Sequence, residues 1–280
     1  MIVDAHQHFW QIDRGMHGWI DDSISGIRRD YLPKHLAPYL AHFGIDKTIL
    51  VQAAEDLADN SFMDGLAQNA DFIGGIVAWL DLSASNAADI LHDLAQNPLI
   101  KGVRPVLQGI EDSTWILQPA VLDNLRLLPG NGLRFDALVQ PRHLTAIDTL
   151  ATSIPDLPIV IDHAAKPVIR GGTALDRDWL DGMARLAHHP QMHCKISGLA
   201  TEFGPGWSAE SLRPVVQHLL ECFGPARLMW GSDWPVLELD GSYPQWFTCL
   251  KTMIADLNTA EQADILGGTA TRFYGLASER

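Results

Sequence analysis

The chain opens with the run Ile2-Val3-Asp4-Ala5-His6-Gln7-His8, which starts apolar and ends in a His-x-His pair. It predicts a β-strand covered on both faces, because its apolar residues are nearly continuous rather than strictly alternating with polar ones. Seven further runs of this kind follow: Thr48–Ala53, Gly75–Leu80, Ile100–Val106, Leu133–Val139, Pro158–His163, Met192–Ser197 and Arg227–Ser232.

Segments rich in Ala and Leu, with the spacing of helices, separate these runs. They are Ser61–Asn69, Ser85–Gln96, Thr114–Leu128, His143–Thr152, Asp178–His188, Ser208–Phe223, Pro244–Leu257 and Ala260–Tyr274. The interval from Phe9 to Asp46 shows no clear helix. We expect it to form an extended loop over one end of the fold. There His17, Trp19 and Tyr31 either line a site for a polyhydroxylated ligand or only pack against the top of the barrel, and packing is favoured.

Regular alternation of strands and helices implies parallel pairing with right-handed crossovers. Eight units in 280 residues, with no linker-like segment, predict an α/β fold with a single (β/α)8 TIM-like barrel domain over residues 1–280. A doubly wound open sheet is the alternative. The sequence contains none of the motifs G-x-G-x-x-G, G-x-x-x-x-G-K-[ST] or G-x-S-x-G, so the usual dinucleotide, phosphate and serine-hydrolase signatures are absent.

Twenty basic residues against 34 acidic ones give a net charge of −14. This charge repels phosphate backbones and anionic lipids, so we expect neither nucleic acid nor membrane as a partner. Cys194, Cys222 and Cys249 are far apart, which predicts reduced thiols. The amino terminus lacks a basic region followed by a long apolar stretch, so we expect no signal peptide and a cytoplasmic location. Association into a homo-oligomer stays open.

Catalytic groups of such barrels lie at the carboxyl ends of the strands. Asp4, His6 and His8 are two residues apart, which predicts that they share one face of the first strand. Two imidazoles at the barrel mouth would hold a divalent metal or polarise a substrate carbonyl. The simpler alternative is a pair of polar residues at a strand end.

Two other strand ends carry similar chemistry. His163 follows the sixth strand, where it is either functional or anchors a loop by a hydrogen bond. Asp233 follows the eighth strand, where it is either a general base or a turn-forming residue. Three such strand ends together favour a catalytic site.

Two cations are further candidates. Arg104, near the end of the fourth strand, would bind a carboxylate or hydroxylated substrate, or would close a salt bridge. Lys195 alternates with Cys194 and Ile196, which predicts that it points into the barrel, where it needs a function or an acidic partner.

Several motifs extend over nearly the whole chain: Val3-Asp4-Ala5-His6-Gln7-His8-Phe9-Trp10, Lys101-Gly102-Val103-Arg104, Asp162-His163-Ala164-Ala165-Lys166-Pro167, Gly231-Ser232-Asp233-Trp234-Pro235 and Gly268-Thr269-Ala270-Thr271-Arg272-Phe273-Tyr274-Gly275-Leu276. With them the sequence resembles the lactonase branch of the amidohydrolase superfamily. That branch includes hydrolases of L-fuconolactone or L-rhamnonolactone and of 2-pyrone-4,6-dicarboxylate.

The resemblance implies a distorted (β/α)8 barrel with His6, His8, His163 and Asp233 in the active site. We expect substrate contacts from Arg104, Lys166, Lys195 and Trp234.

The chain departs from the wider superfamily, in which many members carry a carboxylated lysine after the fourth strand and a ligand histidine after the fifth. Here the fourth strand ends near Arg104, and the fifth ends Leu138-Val139-Gln140-Pro141, with His143 just beyond. A binuclear centre is therefore not predicted. A single zinc or manganese ion on His6, His8, His163 and Asp233, dispensable for much of the activity, is compatible with the residues, as is a metal-free site.

The resulting hypothesis is hydrolysis of a lactone, with Asp233 taking a proton from the attacking water and the histidines stabilising the oxyanion. A neutral aldonolactone is favoured over a dicarboxylate, because cations near the mouth are few: Arg104, Lys166, Lys195 and Arg142. The alternatives are a decarboxylase or hydratase on the same barrel, a dicarboxylate-lactone hydrolase and, least favoured, a binding barrel without catalysis.

Overall fold

A computed structural model describes residues 1–277, in which eight parallel strands pair in chain order. They are β1 (Val3–Gln7), β2 (Lys47–Val51), β3 (Ile73–Ala78), β4 (Ile100–Val103), β5 (Arg134–Ala137), β6 (Ile159–Ile161), β7 (Met192–Ile196) and β8 (Leu228–Trp230). The backbone N–H of His8 donates to the carbonyl oxygen of Trp234 at 2.8 Å, which joins the last strand region to the first. The sheet is thus a nearly closed (β/α)8 barrel, as predicted, and the open-sheet alternative is wrong.

Helices alternate with the strands and form the outer layer. They are α1 (Pro33–Phe43), α2 (Leu57–Ala67), α3 (Ala87–Ala95), α4 (Pro119–Leu125), α5 (Leu144–Ser153), α6 (Arg177–Leu186), α7 (Leu199–Phe203), α8 (Ala209–Phe223), α9 (Tyr243–Met253), α10 (Thr259–Ala263) and α11 (Thr269–Tyr274). None of the helices in the described part of the chain combines the length and apolar character needed to cross a membrane.

The prediction that Phe9 to Asp46 lacks a helix is wrong, because α1 lies in this interval. Pro33 stands in its first turn, where a missing N–H and a fixed φ favour helix formation. Gly44, with φ of 65°, ends the helix in the left-handed conformation.

Apolar side chains inside the barrel form a layer distinct from the one between strands and helices. The interior layer combines strand residues such as Val51, Val77 and Met229 with Phe273 and Tyr274 of α11. Helix α11 therefore packs beneath the barrel. The opposite end, formed by the carboxyl ends of the strands, is here called the mouth.

A group of charged and polar side chains lies inside the barrel between this apolar layer and the mouth. Lys195 Nζ lies 2.6 Å from Asp136 Oδ2 and 3.0 Å from Asp162 Oδ1. The hydroxyl of Tyr274 donates to the same Asp136 oxygen at 2.7 Å. All four side chains are fully buried, and we call Asp136, Asp162, Lys195 and Tyr274 the lower charge layer.

Candidate active site

Three strand ends bring four side chains together at the mouth. His6 lies in β1 and His8 directly follows it, while His163 follows β6 and Asp233 follows β8. Asp233 Oδ1 lies 3.4 Å from His8 Nε2, 3.8 Å from His6 Nε2 and 3.8 Å from His163 Nε2. One carboxylate oxygen is therefore surrounded by three imidazoles, and we call these four residues the upper cluster.

His6 and His8 reach the mouth because β1 bulges. Pairing between β1 and β2 shifts by one residue between Asp4 and Gln7, which breaks the alternation of faces. The prediction that Asp4 shares the face of His6 and His8 is therefore wrong. The Asp4 carboxylate instead accepts hydrogen bonds from the Ser232 N–H at 2.8 Å and from the Tyr243 hydroxyl at 2.9 Å.

Strained backbone presents His163 and Asp233 to the site. Residues 163–166 all have φ between 51° and 57°, and Asp233 has φ of 56°. The left-handed conformation costs roughly 1–2 kcal/mol for each residue with a Cβ. Close packing holds His163 in place, because a Cβ on Gly198 would lie only 2.7 Å from its Nδ1 atom. The Asp233 N–H donates to the carbonyl oxygen of His6 at 2.8 Å.

Burial and charge set the protonation of the upper cluster. Burial lowers the pKa of His163 to about 4 and that of His6 well below its ordinary value. Burial alone would raise the pKa of Asp233, but the facing imidazoles of His163, His8 and His6 outweigh it and lower that pKa below its usual range. At neutral pH the site therefore holds an ionised carboxylate beside the neutral rings of His6 and His163.

The lower charge layer touches the upper cluster at His6. The Nδ1 atom of His6 lies 3.2 Å from Lys195 Nζ and 3.3 Å from Asp162 Oδ1. Arg104 Nη1 lies 3.2 Å from Asp162 Oδ2. Burial would raise the pKa of Asp162, yet Lys195, His6 and Arg104 together hold it well below its usual value.

Sequence reasoning gave no role to Asp136 or Asp162. Asp136 alternates with the outward residues Phe135 and Ala137 in β5, and this alternation was the available signal. Asp162 stands next to His163 and was noticed only as part of the motif.

A cavity of about 670 Å³ opens above the upper cluster. Five of the predicted site residues line it: His8, Arg104, His163, Lys166 and Asp233. The polar part of the lining also includes Gln52, Glu55, Asp56 and Gln108, and the apolar part includes Met16, Trp19, Val106, Leu138 and Val236.

The structure places three predicted site residues elsewhere. His6 and Lys195 are buried beneath the cavity, so they reach it only through their neighbours. The indole of Trp234 packs against Phe9 and Tyr31 and donates to Glu238 at 2.9 Å. In this geometry Lys195 and Trp234 do not border the cavity, so neither is placed to contact a substrate there.

The donor atoms of the mouth fit a divalent metal. Ligand atoms of His6, His8 and Asp233 all lie within 4.8 Å of one another. His8 Nδ1 lies 2.8 Å from the carbonyl oxygen of Val51, which can only accept, so Nδ1 carries a proton. In the neutral ring this leaves a lone pair on Nε2, which also lies 3.2 Å from His6 Nε2. This lone pair faces the buried Asp233 Oδ1, which accepts no hydrogen bond among the described residues. Two facing acceptors of the N and O type suit a zinc ion.

A second possible ligand group consists of His6, Asp162 and His163. The ammonium of Lys195 already contacts both His6 and Asp162 there, so the chain's own cation competes with a metal. The residues therefore favour the position between His6, His8 and Asp233, where a cation contacts only one of the ligands: Arg104 Nη1 lies 3.3 Å from His6 Nε2.

The fold and the strand-end histidines and aspartate are those of an amidohydrolase-type barrel. The amidohydrolase family model matches residues 3–276, and the chain belongs to this family. It is 39% identical over 276 residues to an L-fucono-1,5-lactonase of Burkholderia ambifaria, covering 97% of this chain and 94% of that protein. It is 34% identical over 285 residues to an L-fucono-1,5-lactonase of Burkholderia multivorans, covering 98% and 96%.

Among solved structures, the chain is similar to an amidohydrolase from Burkholderia multivorans crystallised with bound zinc. The TM-score is 0.93 at 30% sequence identity, and the match covers 99% of this chain and all of that one.

Proposed function

We propose that this protein is a lactonase that opens a neutral sugar lactone by water attack at the ring carbonyl. The observation that carries the proposal is the ionised Asp233 facing His8 Nε2 at the floor of a cavity lined by both polar and apolar residues. Full-length similarity to two proteins named L-fucono-1,5-lactonase indicates the substrate class.

The proposed first step is activation of water. The Asp233 oxygen and His8 Nε2 are two acceptors 3.4 Å apart, so together they accept both hydrogens of one water molecule. As the water oxygen bonds to the ring carbonyl carbon, Asp233 takes one proton. The other acceptor orients the nucleophile, which reduces the entropic part of the barrier.

The proposed second step is collapse of the tetrahedral oxyanion. His163 lines the cavity beside Asp233 and is the group available to donate toward the developing negative charge. The guanidinium of Arg104 adds positive charge there while it stays bonded to Asp162 and Gln52. When the bond from the carbonyl carbon to the ring oxygen breaks, the proton held by Asp233 passes to the leaving alkoxide. The product is a hydroxy acid, and Asp233 is again ionised.

A divalent metal held by His6, His8 and Asp233 would supply Lewis-acid chemistry at the same position. Binding such an ion requires neutral imidazoles, and burial keeps His6 neutral.

The charges around the cavity favour a substrate without carboxylates. Arg104 is engaged by Asp162 and by the carbonyl oxygen of Gln52, and Lys166 lies 3.3 Å from Glu202. Glu55 and Asp56 add acidic groups to the lining. A dicarboxylate would therefore meet cations that already have acidic or carbonyl partners, together with the carboxylates of Glu55 and Asp56.

The test is a panel of L-fucono-1,5-lactone, other aldonolactones and 2-pyrone-4,6-dicarboxylate, with acid release followed by a pH indicator. We expect turnover of the sugar lactones. Turnover of the dicarboxylate alone would overturn the substrate class, and carbon dioxide release without lactone opening would favour the decarboxylase alternative.

We also propose that residues 1–280 form one domain, which limited proteolysis tests, and that the protein is cytoplasmic, which cell fractionation tests. A homo-oligomer is compatible with the sequence, and light scattering measures the oligomeric state.

A further inference from the structure

The segment 11–30, here called the mouth loop, leaves the barrel after β1 and borders the cavity. Its two ends meet at a neck, where Trp10 and Tyr31 exchange two backbone hydrogen bonds of 2.9 Å. Trp10 is fully buried, and its indole donates to the carbonyl oxygen of Arg29 at 2.8 Å. The mouth loop therefore has a fixed base.

Trp19 lies on this loop and lines the cavity. Its side chain is 43% exposed, although its indole N–H donates to the carbonyl oxygen of Ala53 at 2.7 Å. The ring system also packs edge-to-face with Trp10, with centroids 5.5 Å apart and planes at 84°. An indole fixed at two points keeps apolar surface in contact with solvent.

Ala53, whose carbonyl oxygen accepts the indole hydrogen bond of Trp19, is held in place by Asp59. The N–H groups of Ala53 and Ala54 donate to one oxygen of the buried Asp59 at 2.8 and 3.1 Å. This fixes the segment after β2 and, through the Ala53 carbonyl, the orientation of the indole. A side chain held in this way loses little conformational entropy when a ligand binds.

We propose that Trp19 is a specificity-determining residue whose indole stacks against the C–H face of a six-membered sugar lactone. This rests on the proposed function, since it identifies what that cavity recognises. A sugar ring presents hydroxyl groups at its rim and C–H groups on its face, and polarised C–H groups are attracted to the negative face of an aromatic ring. Polar groups such as Gln52 and Gln108 are available to the hydroxyls in the same cavity.

The test compares Trp19→Ala and Trp19→Phe with wild type, using L-fucono-1,5-lactone as substrate. Leu57→Ala is the matched control, because Leu57 is equally exposed, at 42%, but is not part of the cavity lining. We expect Trp19→Ala to raise KM about tenfold with kcat within threefold of wild type. Trp19→Phe, which keeps an aromatic face, should stay within threefold in KM, and Leu57→Ala should match wild type.

An unchanged KM in Trp19→Ala, or a loss confined to kcat, would overturn the proposal. The proposed function can fail separately, so binding of L-fucose, an unreactive sugar with the same ring size, is measured by NMR titration of each variant. If wild type binds L-fucose and Trp19→Ala binds it about tenfold more weakly, the stacking role stands even without lactone turnover. If wild type neither opens the lactone nor binds L-fucose, both proposals are wrong.

Discussion

The upper cluster and the lower charge layer lie in one barrel, a few ångströms apart, and are built differently. In the upper cluster the Asp233 carboxylate oxygen stands 3.4–3.8 Å from its three imidazoles, and two of the four residues have left-handed backbone. In the lower layer Lys195 lies in the regular strand β7, and its Nζ atom is 2.6 Å from Asp136 and 3.0 Å from Asp162.

We interpret the difference as a separation of proposed chemistry from support. The Oδ1 atom of Asp233 accepts no hydrogen bond among the described residues and borders the cavity, whereas the Oδ1 atoms of Asp136 and Asp162, which likewise accept none, are buried away from the cavity. Groups that hold a charged site in an apolar barrel must compensate each other's charge, because an unpaired buried charge is costly. Mutations in the lower layer should therefore affect folding, and those in the upper cluster should affect turnover.

The largest effect is expected for Lys195→Met. Removal of the ammonium leaves Asp136 and Asp162 buried without their main counter-charge, and breaking a buried ion pair costs about 3–5 kcal/mol. Urea denaturation measures the loss. Lys251→Met, on the surface of α9, is the control and should change the free energy of unfolding by less than about 0.5 kcal/mol. A loss below about 1 kcal/mol for Lys195→Met would contradict the supporting role of the lower layer.

His163 should make the folded protein sensitive to acid. Its pKa of about 4 in the folded state lies below the ordinary value of 6.5, so the unfolded chain takes up a proton first as the pH falls. The contribution of His163 to the free energy of unfolding is therefore complete above pH 6.5. As the pH falls to about 4, the free energy of unfolding decreases by about 3 kcal/mol. Burial raises the pKa of Asp4 to about 6, which acts in the opposite direction.

The measurement is therefore the difference in free energy of unfolding between wild type and His163→Asn at each pH. A difference that stays constant from pH 7 to pH 4 would show that His163 does not hold its neutral form.

Asp233→Asn keeps the shape of the side chain but removes the base. We expect kcat to fall by about 100-fold or more, equivalent to about 2.7 kcal/mol, with little change in stability. Asp240→Asn, on the same connection between β8 and α9 but outside the cavity lining, should retain wild-type kcat. Near-normal turnover in a folded Asp233→Asn protein would remove this residue from the mechanism.

Removing metal should have a smaller effect. Because Asp233 and His8 can accept both hydrogens of a water without an ion, we expect the chelated enzyme to keep at least about half of its turnover. Metal content and kcat are measured before and after chelation. Complete loss, restored by one equivalent of zinc or manganese, would contradict this expectation.

The smallest effect concerns backbone strain next to the upper cluster. Ala165→Gly loses a buried methyl group, worth about 0.8 kcal/mol, but relieves a left-handed φ of 57°. Ala146→Gly, inside α5, loses a buried methyl and helix propensity with no strain to relieve. The second variant should be at least about 1 kcal/mol less stable than the first by thermal or urea unfolding, and equal losses would argue against strain at Ala165.

Much of the fold was predictable, because buried parallel strands leave continuous apolar runs separated by helical spacing. The convergence of Asp233 with the three histidines was predictable because side chains at the carboxyl ends of barrel strands meet at the mouth, and their catalytic roles stay a prediction. The face assigned to Asp4 was wrong, since a bulge depends on pairing with β2 and leaves no mark in a single strand. Helix α1 was missed because its prolines resemble loop residues.

Other features depend on contacts that the sequence does not show. The partners Asp136 and Lys195 are 59 residues apart, and only barrel closure brings them together. Trp19 was expected to pack, because exposure of an aromatic side chain depends on how the mouth loop folds. Trp234 follows Asp233 directly, yet the turn between them directs the indole away from the cavity.

The neck between Trp10 and Tyr31 makes the mouth loop a transferable module. Because the chain enters and leaves this segment at one pair of hydrogen-bonded residues, a replacement of different length pays a closure entropy that grows only slowly with length. Grafting other loops between Trp10 and Tyr31 would exchange ring selectivity while the strand ends that carry the water-activating groups stay intact. With the proposed roles of Trp19 and Asp233, substrate recognition would change in this loop while the hydrolytic groups at the strand ends are kept.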